Sequence, residues 1–427
     1  MMHKINYEQF NECVYQETLS NGLKVIINPK PDFNSTYASL SVDFGSIDTV
    51  ISKNQGIKHL PAGIAHFIEH KLFDKKNYDS SDRFAKYGAE NNAFTSFNQT
   101  SYLFSATTDF DDNFKTLLDL VENPYFDEQK IIKEQGIIGQ EIMMYQDDPS
   151  SRIYFDTIAS LYSESPLSFD IAGSKSSIFK ITPEELYDTY HQYYVPNNMT
   201  LVVVGKVDVT KIISEVKGHF LNLTTNNSIE NLKKIVNQEI ENSLVIPYKK
   251  TTMKLSTPKV GLGIRGPQIN FFGRTFSRYE LSLGMFLELI FSEDSDIYQR
   301  LYDNQIINDS FGFDFDIEDG YQFLIFAEDT KKTEKFCDII LAEINDCLVN
   351  PKKIESQFEL IKNEEIGDHF ALMDSIPGIA NQMGDRLNDF TNVYDEVEII
   401  KNLSFNEIID AAKNFFENSQ TTRNVII

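Results

Sequence analysis

The sequence predicts an α+β protein built from two duplicated halves. Three observations carry that reading. First, short β-type runs closed by turn residues alternate with stretches of helical spacing. Second, the C-terminal half repeats signals of the N-terminal half. Thr182-Pro183-Glu184-Glu185-Leu186, with Tyr193-Tyr194 after it, is echoed 222 positions later (182 to 404) by Ser404-Phe405-Asn406-Glu407-Ile408, with Phe415-Phe416 after it. V-E-N-P (121–124) is echoed by L-V-N-P (348–351), and the strand ending V-V-V-G by the terminal N-V-I-I. A repeat of about 200 residues is the signature of an internal duplication. Third, 427 residues exceed one ordinary core, and 41% hydrophobic content with 33 Phe and 20 Tyr is ample material for more than one.

The elements follow in order. Residues 17–28 read as two strands joined at Asn21-Gly22, a strong hairpin signal. Residues 36–44 alternate and read as a strand closed by Gly45-Ser46. A helix spans about Ala62 to Phe73, and a second spans Ser80–Tyr87, ended by Gly88. Residues 91–106 are rich in Thr, Phe and Tyr and read as two strands around Asn98-Gln99. Phe114, Leu117, Leu118 and Val121 share one face of a helix that Asn123-Pro124 breaks. The next helix runs from about Asp127 to Tyr145 and stops at Asp147-Asp148-Pro149. Thr182 and Glu185 form a capping box for a helix over Pro183–Tyr194. Pro196-Asn197-Asn198 then turns the chain into the buried strand M-T-L-V-V-V-G. Residues 223–243 are polar and read as the linker between a half at 1–222 and a half at 244–427.

The chemistry concentrates in the helix over 62–73, read as A-G-I-A-H-F-I-E-H-K-L-F. His66 and His70 stand four apart, so both imidazoles lie on one helical face, one turn from each other. Two neutral imidazoles at that spacing can grip one small cation, and Zn²⁺ is the usual one. Glu69 points toward the same face and is a candidate general base. The plain alternative is two helical histidines without a metal. In the helix over 127–145, Glu134 and Glu141 are seven apart beside Ile137, Ile138 and Ile142. On spacing alone they read as solvated helix acids. The second half has no H-x-x-E-H; around 286–292 it carries F-L-E-L-I-F-S, so one copy holds the chemistry and the other a scaffold or substrate wall.

Composition narrows the class. A net charge of −25 argues against nucleic acid and other phosphate-bearing partners. Simple solubility accounts for it, and attraction of cationic peptides is the functional alternative. Cys13, Cys337 and Cys347 are too few and too scattered for a disulfide framework or a thiolate metal site, which fits a reducing compartment. No signal peptide, transit peptide or membrane span is evident, so a cytoplasmic protein is expected.

At this point the chain resembles the pitrilysin/insulinase family of inverted-motif zinc peptidases, in particular its short bacterial members akin to mitochondrial processing peptidase. The resemblance rests on T-L-S-N-G-L-K-V-I (18–26), F-G-S (44–46), A-G-I-A-H-F-I-E-H-K-L-F (62–73), N-A-F-T-S (92–96), K-E-Q-G-I-I-G-Q-E-I (133–142) and Y-V-P-N-N-M (194–199). It implies a processing-peptidase-like fold, in which each duplicated half is a largely antiparallel sheet with helices on one face. It implies that Glu141 is the third zinc ligand beside His66 and His70, with the fourth position left to water, and that Glu134 is a helper acid. It implies Glu69 as general base, and Asn92, Ala93, Phe94 and Thr95 as an edge strand that pairs with the substrate backbone. Family members often carry an Arg and a Tyr in the second half that hold substrate. Arg300 matches the first; the position seven on is Ile307, a departure from the pattern. The implied function is a zinc endopeptidase acting on short or unfolded peptides in a chamber. The family closes two such bowls, so a second subunit of the same family is expected, a non-identical chain ahead of a homodimer. The rival readings are a non-catalytic structural or chaperone-like subunit and a maturation protease dedicated to one leader peptide.

Overall fold

The computed structural model describes residues 2–54, 56–220, 225–269, 271–385 and 390–427. The chain forms two compact units. The first combines Met1–Ile142, Asp170–Val236 and Ala371–Tyr394; the second combines Met143–Phe169, Asn237–Phe370 and Asp395–Ile427. Each unit therefore takes one segment from the other half of the chain. The expected boundary at 222 and residues 223 and 224 of the expected linker lie outside the described residues. Most of the remaining linker stretch is the helix Ile229–Glu241, with Ile229, Leu232, Val236 and Ile240 buried. Its polar composition is one face of an amphipathic helix.

The first unit is built on a seven-stranded sheet. Its strands are β1 (His3–Tyr7), β2 (Glu12–Thr18), β3 (Lys24–Pro29), β4 (Thr36–Val42), β5 (Ala89–Thr95), β6 (Thr100–Ala106) and β7 (Met199–Gly205). They lie in the order β1-β2-β3-β7-β4-β6-β5. β3 and β7 pair in parallel and every other pair is antiparallel. The turn at Asn21-Gly22 joins β2 to β3 as expected, with Gly22 at φ +91°.

The second unit holds a five-stranded sheet of β8 (Tyr248–Thr251), β9 (Lys259–Arg265), β10 (Gly312–Glu318), β11 (Tyr321–Asp329) and β12 (Gln420–Ile426). The order is β8-β12-β9-β11-β10, with β8 and β12 parallel. This is the topology of β3-β7-β4-β6-β5 repeated strand for strand. Both capping boxes of the sequence echo also form, Thr182 with Glu185 and Ser404 with Glu407. The duplication thus extends from sequence to strand order, and the first copy adds the β1–β2 hairpin.

One expectation is corrected: helices cover both faces of each sheet. β4 and β7 are buried along their whole length, which one helical layer cannot achieve because alternate side chains point to opposite faces. The helix Ile376–Asp385 takes the face of Tyr37, Ser39 and Ser41. Tyr37 donates a 2.7 Å hydrogen bond to Asn381 Oδ1, and Gly384 closes on the two serine hydroxyls. In the second unit the helix Pro149–Leu161 lies against Gly261 and Gly263 of β9; a Cβ at Gly261 would stand 2.5 Å from Thr157 Oγ1. Val260, Leu262 and Ile264 point the other way, into a core with Leu283, Phe286 and Ile408. Sequence could not reveal the second layer, because each covering helix comes from the opposite half of the chain.

Candidate metal centre

The motif lies on the helix α1 (Ile64–Phe73) of the first unit. Its start is fixed by Gly63, at φ +89°, where a Cβ would stand 2.4 Å from the Ala172 carbonyl oxygen. Only glycine fits that backbone crossing. Helical spacing then brings His66 and His70 together, with ring centroids 4.6 Å apart. The helix α2 (Glu128–Asp147) buries a stripe of Ile131, Gln135, Ile138, Gly139 and Ile142. Glu134 and Glu141 flank that stripe, half-buried and turned toward α1.

Glu141 bridges the two histidines. Its Oε1 is 3.6 Å from His66 Nε2 and its Oε2 is 3.7 Å from His70 Nε2. These separations are too long for good hydrogen bonds. His66 Nδ1 is buried without a hydrogen-bond partner. The ligand atoms of His66, His70 and Glu141 all lie within 4.8 Å of one another, and among the described residues no other group of three His, Cys, Asp or Glu side chains does this.

Two further acids take different partners. Glu69 is buried on α1 and accepts a 2.6 Å hydrogen bond from Thr95 Oγ1. Glu134 Oε1 stands 3.1 Å from His70 Nδ1, and its Oε2 accepts from Lys71 Nζ at 3.3 Å. Electrostatics follow these contacts. Burial pushes the Glu69 carboxyl up, and the Thr95 bond works against it. Burial, with the adjacent His70, pulls His66 down to about 3, so that ring is neutral. Burial also acts to lower His70, but Glu134 and the neighbouring carboxylates prevail and hold it above its ordinary value. Burial acts to raise Glu134, but His70 and Lys71 prevail and hold it low.

Asn92, Ala93, Phe94 and Thr95 lie on β5, the edge strand of the first sheet, with Asn92 exposed. Arg300 lies in the second unit, on the helix Asp296–Asp303, and its guanidinium pairs with Glu343 at 2.7 Å. Ile307 is 1% exposed and belongs to the second-unit core. Two partners were not read from the sequence. Thr95 was assigned to the substrate strand, not to Glu69. Lys71 has no assignment from the sequence, although a lysine between His70 and the apolar Leu72-Phe73 is itself a signal of a paired charge.

Residues 24–174, which contain every residue of this cluster, match the description Insulinase (Peptidase family M16). Residues 180–363 match Peptidase M16 inactive domain. The chain is 37% identical over 415 residues to the Bacillus subtilis protein named Uncharacterized zinc protease YmfH, covering 96% of this chain and 95% of that one. The chain belongs to peptidase family M16. It is also 28% identical over 214 residues, half of each chain, to the Bacillus subtilis Putative zinc protease AlbF. Among solved structures, a putative M16-like peptidase from Alicyclobacillus acidocaldarius superimposes with a TM-score of 0.84 at 22% identity, covering 100% of this chain and 98% of that one. A protease from Helicobacter pylori gives 0.80 at 19%, covering 96% and 98%. These last two establish the shared two-domain fold of the M16 family. No helix among the described residues is long and apolar enough to cross a membrane.

The donor set of this M16 chain fits zinc. Two ligands on one tetrahedral zinc stand about 3.3–3.6 Å apart when each bond is about 2.0–2.2 Å. The separations between Glu141 and the two Nε2 atoms, 3.6 and 3.7 Å, lie at the upper edge of that span and within about 0.1 Å of it. Two imidazoles and one carboxylate are also the kind of three-residue set that zinc sites with an open fourth position use.

Proposed function

We propose that this M16 chain is a zinc-dependent endopeptidase for short or unfolded peptides, with His66, His70 and Glu141 holding the metal. The observation that carries the proposal is the convergence of those three side chains within 4.8 Å, with Glu69 beside them on α1. A bound zinc ion would supply a Lewis acid for the scissile carbonyl and the attacking water. Glu69 takes the proton of the attacking water and returns it to the leaving amine. Thr95 holds one Glu69 oxygen by hydrogen bond and leaves the other for that proton. Glu134 fixes the His70 ring through Nδ1, so its Nε2 faces Glu141. The edge strand β5 offers unpaired backbone groups to an extended peptide, a mode that reads extension more than sequence.

The test is a peptide-library digest with metal analysis. Glu69→Gln is expected to abolish cleavage with zinc retained. Glu141→Gln is expected to strip the metal, and Glu134→Gln to weaken activity or affinity about 10–100-fold. Full cleavage by Glu69→Gln, or cleavage indifferent to chelator, overturns the reading. The match of residues 180–363 to an inactive domain favours a scaffold role for the second half alone. A wholly non-catalytic subunit is disfavoured by the complete residue set in the first half.

We infer further that a second chain of the family completes the substrate chamber. Ile307 supports a non-identical partner over a second copy, because a core side chain cannot serve as the missing substrate clamp. Light scattering with a peptidase assay tests this. A stable dimer, or activation by a second family chain, is expected. A fully active monomer at nanomolar concentration refutes it.

A further inference from the structure

We infer that Lys71 is a positioning residue for the metal centre, acting on His70 through Glu134. The inference rests on the zinc reading above. It starts from an asymmetry between the two histidines. His66 Nδ1 is buried and has no hydrogen-bond partner. His70 Nδ1 faces Glu134 Oε1 at 3.1 Å. A ligating imidazole keeps its tautomer and ring orientation through the bond its other nitrogen makes. In this pair, that control falls on His70 and therefore on Glu134.

Glu134 is itself held at both oxygens. Oε1 meets His70, and Oε2 accepts from Lys71 Nζ at 3.3 Å. A carboxylate fixed at one oxygen can still rotate about its last bonds; one fixed at both cannot. Lys71 has no exposed side-chain surface, so its ammonium cannot turn to water. Its second partner is Asp74 Oδ2, and Asp74 Oδ1 in turn accepts from Lys130 Nζ at 3.1 Å. Lys130 also donates to the Lys75 carbonyl at 2.8 Å. The result is a chain of alternating groups: imidazole, carboxylate, ammonium, carboxylate, ammonium. It runs from His70 to the surface and ties α1 to α2 twice.

The chain also answers a charge problem. Glu69, Glu134 and Glu141 crowd three carboxylates around two imidazoles, and like charges at this range repel. Lys71 is the buried cation in contact with that group. A lysine ammonium suits the place, because its three donors can serve Glu134 and Asp74 from one point.

The experiment is a double-mutant cycle read as zinc affinity by chelator competition on the full chain. Lys71→Met keeps the side chain's length and removes its charge and donors. It is expected to weaken zinc binding by about tenfold, the low end for a lost outer partner of a ligand. In a Glu134→Gln background the same change is expected to alter affinity by less than about twofold, because its route to His70 is already broken. A purely structural lysine would weaken zinc equally in both backgrounds, and that result overturns the inference. So does an unchanged affinity in the single variant. If Lys71→Met does not fold, Lys71→Gln is read the same way; a loss confined to protein with Glu134 intact supports, and an equal loss in both backgrounds or none overturns. Wild-type protein that binds no zinc overturns both this inference and the proposed function, whereas tight wild-type binding with an indifferent Lys71 overturns only this one.

Discussion

Glu69 and Glu134 are both carboxylates beside His66 and His70, and their hydrogen-bond partners separate them. Glu69 is buried and meets one neutral hydroxyl, Thr95, so its carboxylate keeps basicity. Glu134 meets a ring nitrogen and a buried ammonium, so it is held as a fixed anion. The first environment suits the proton acceptor of the proposed mechanism, and the second suits a support. Thr95→Val, which keeps the shape and deletes the hydroxyl, should therefore lower kcat by about 10–100-fold, the worth of one hydrogen bond to a charged group. Zinc content should stay at the wild-type level. Steady-state kinetics beside metal analysis would check this, and an unchanged kcat would mean that Glu69 is oriented by something else. Thr95 lay within a strand assigned to substrate, so its second duty could not be read from spacing. The contact joins residues 26 positions apart on a helix and a strand.

At the scale of the element, α1 owes its placement to a point where two backbones cross. Gly63 approaches Ala172, and Gly173 approaches Ala62 in return. Both glycines have positive φ, +89° and +76°. Gly63→Ala meets two penalties at once, a left-handed backbone costing on the order of 1–3 kcal/mol and a clash with a carbonyl that cannot move aside. Its melting temperature should fall by about 5 °C or more, with lower zinc content as the helix start shifts. Gly136→Ala on α2 is the matched control. It has open space around it, so helix propensity alone predicts no loss. Thermal melts of both variants decide the point; equal behaviour would remove the crossing from the argument. The glycine was visible in the sequence only as part of a motif, and the reason for it was not.

For the whole molecule, the division into units and the division into halves differ. The first sheet needs the helix Ile376–Asp385 to cover Tyr37, Ser39 and Ser41, and that helix lies near the other end of the chain. The second sheet needs Pro149–Leu161 to cover Gly261 and Gly263. A fragment of residues 1–222 would keep every residue of the metal cluster and still lack one face of its sheet. Expressed alone, it should aggregate or melt well below the full chain. Adding the peptide 371–394 should restore part of the loss. Circular dichroism and light scattering of the fragment, with and without that peptide, test this. A soluble fragment with full-chain stability would show that the covering helix contributes little.

The sequence by itself determined the α+β class, the duplication and the order of most elements, because hairpin turns, capping boxes and helical spacing are local signals. It also put His66, Glu69 and His70 on one face, since four residues make about one helical turn. The resemblance added Glu141 and Glu134, and the tertiary structure brought Glu141 to within 3.6 and 3.7 Å of the two imidazoles. Three features were decided only by the fold. The pairing of Thr95 with Glu69 and the path from Lys71 through Glu134 to His70 depend on which helix and strand become neighbours. The second helical layer depends on segments far away in the chain, such as Asn381 against Tyr37 and Thr157 against Gly261. Local sequence sets what each element is; the side of a sheet that a distant helix covers follows from long-range burial, which no local window contains.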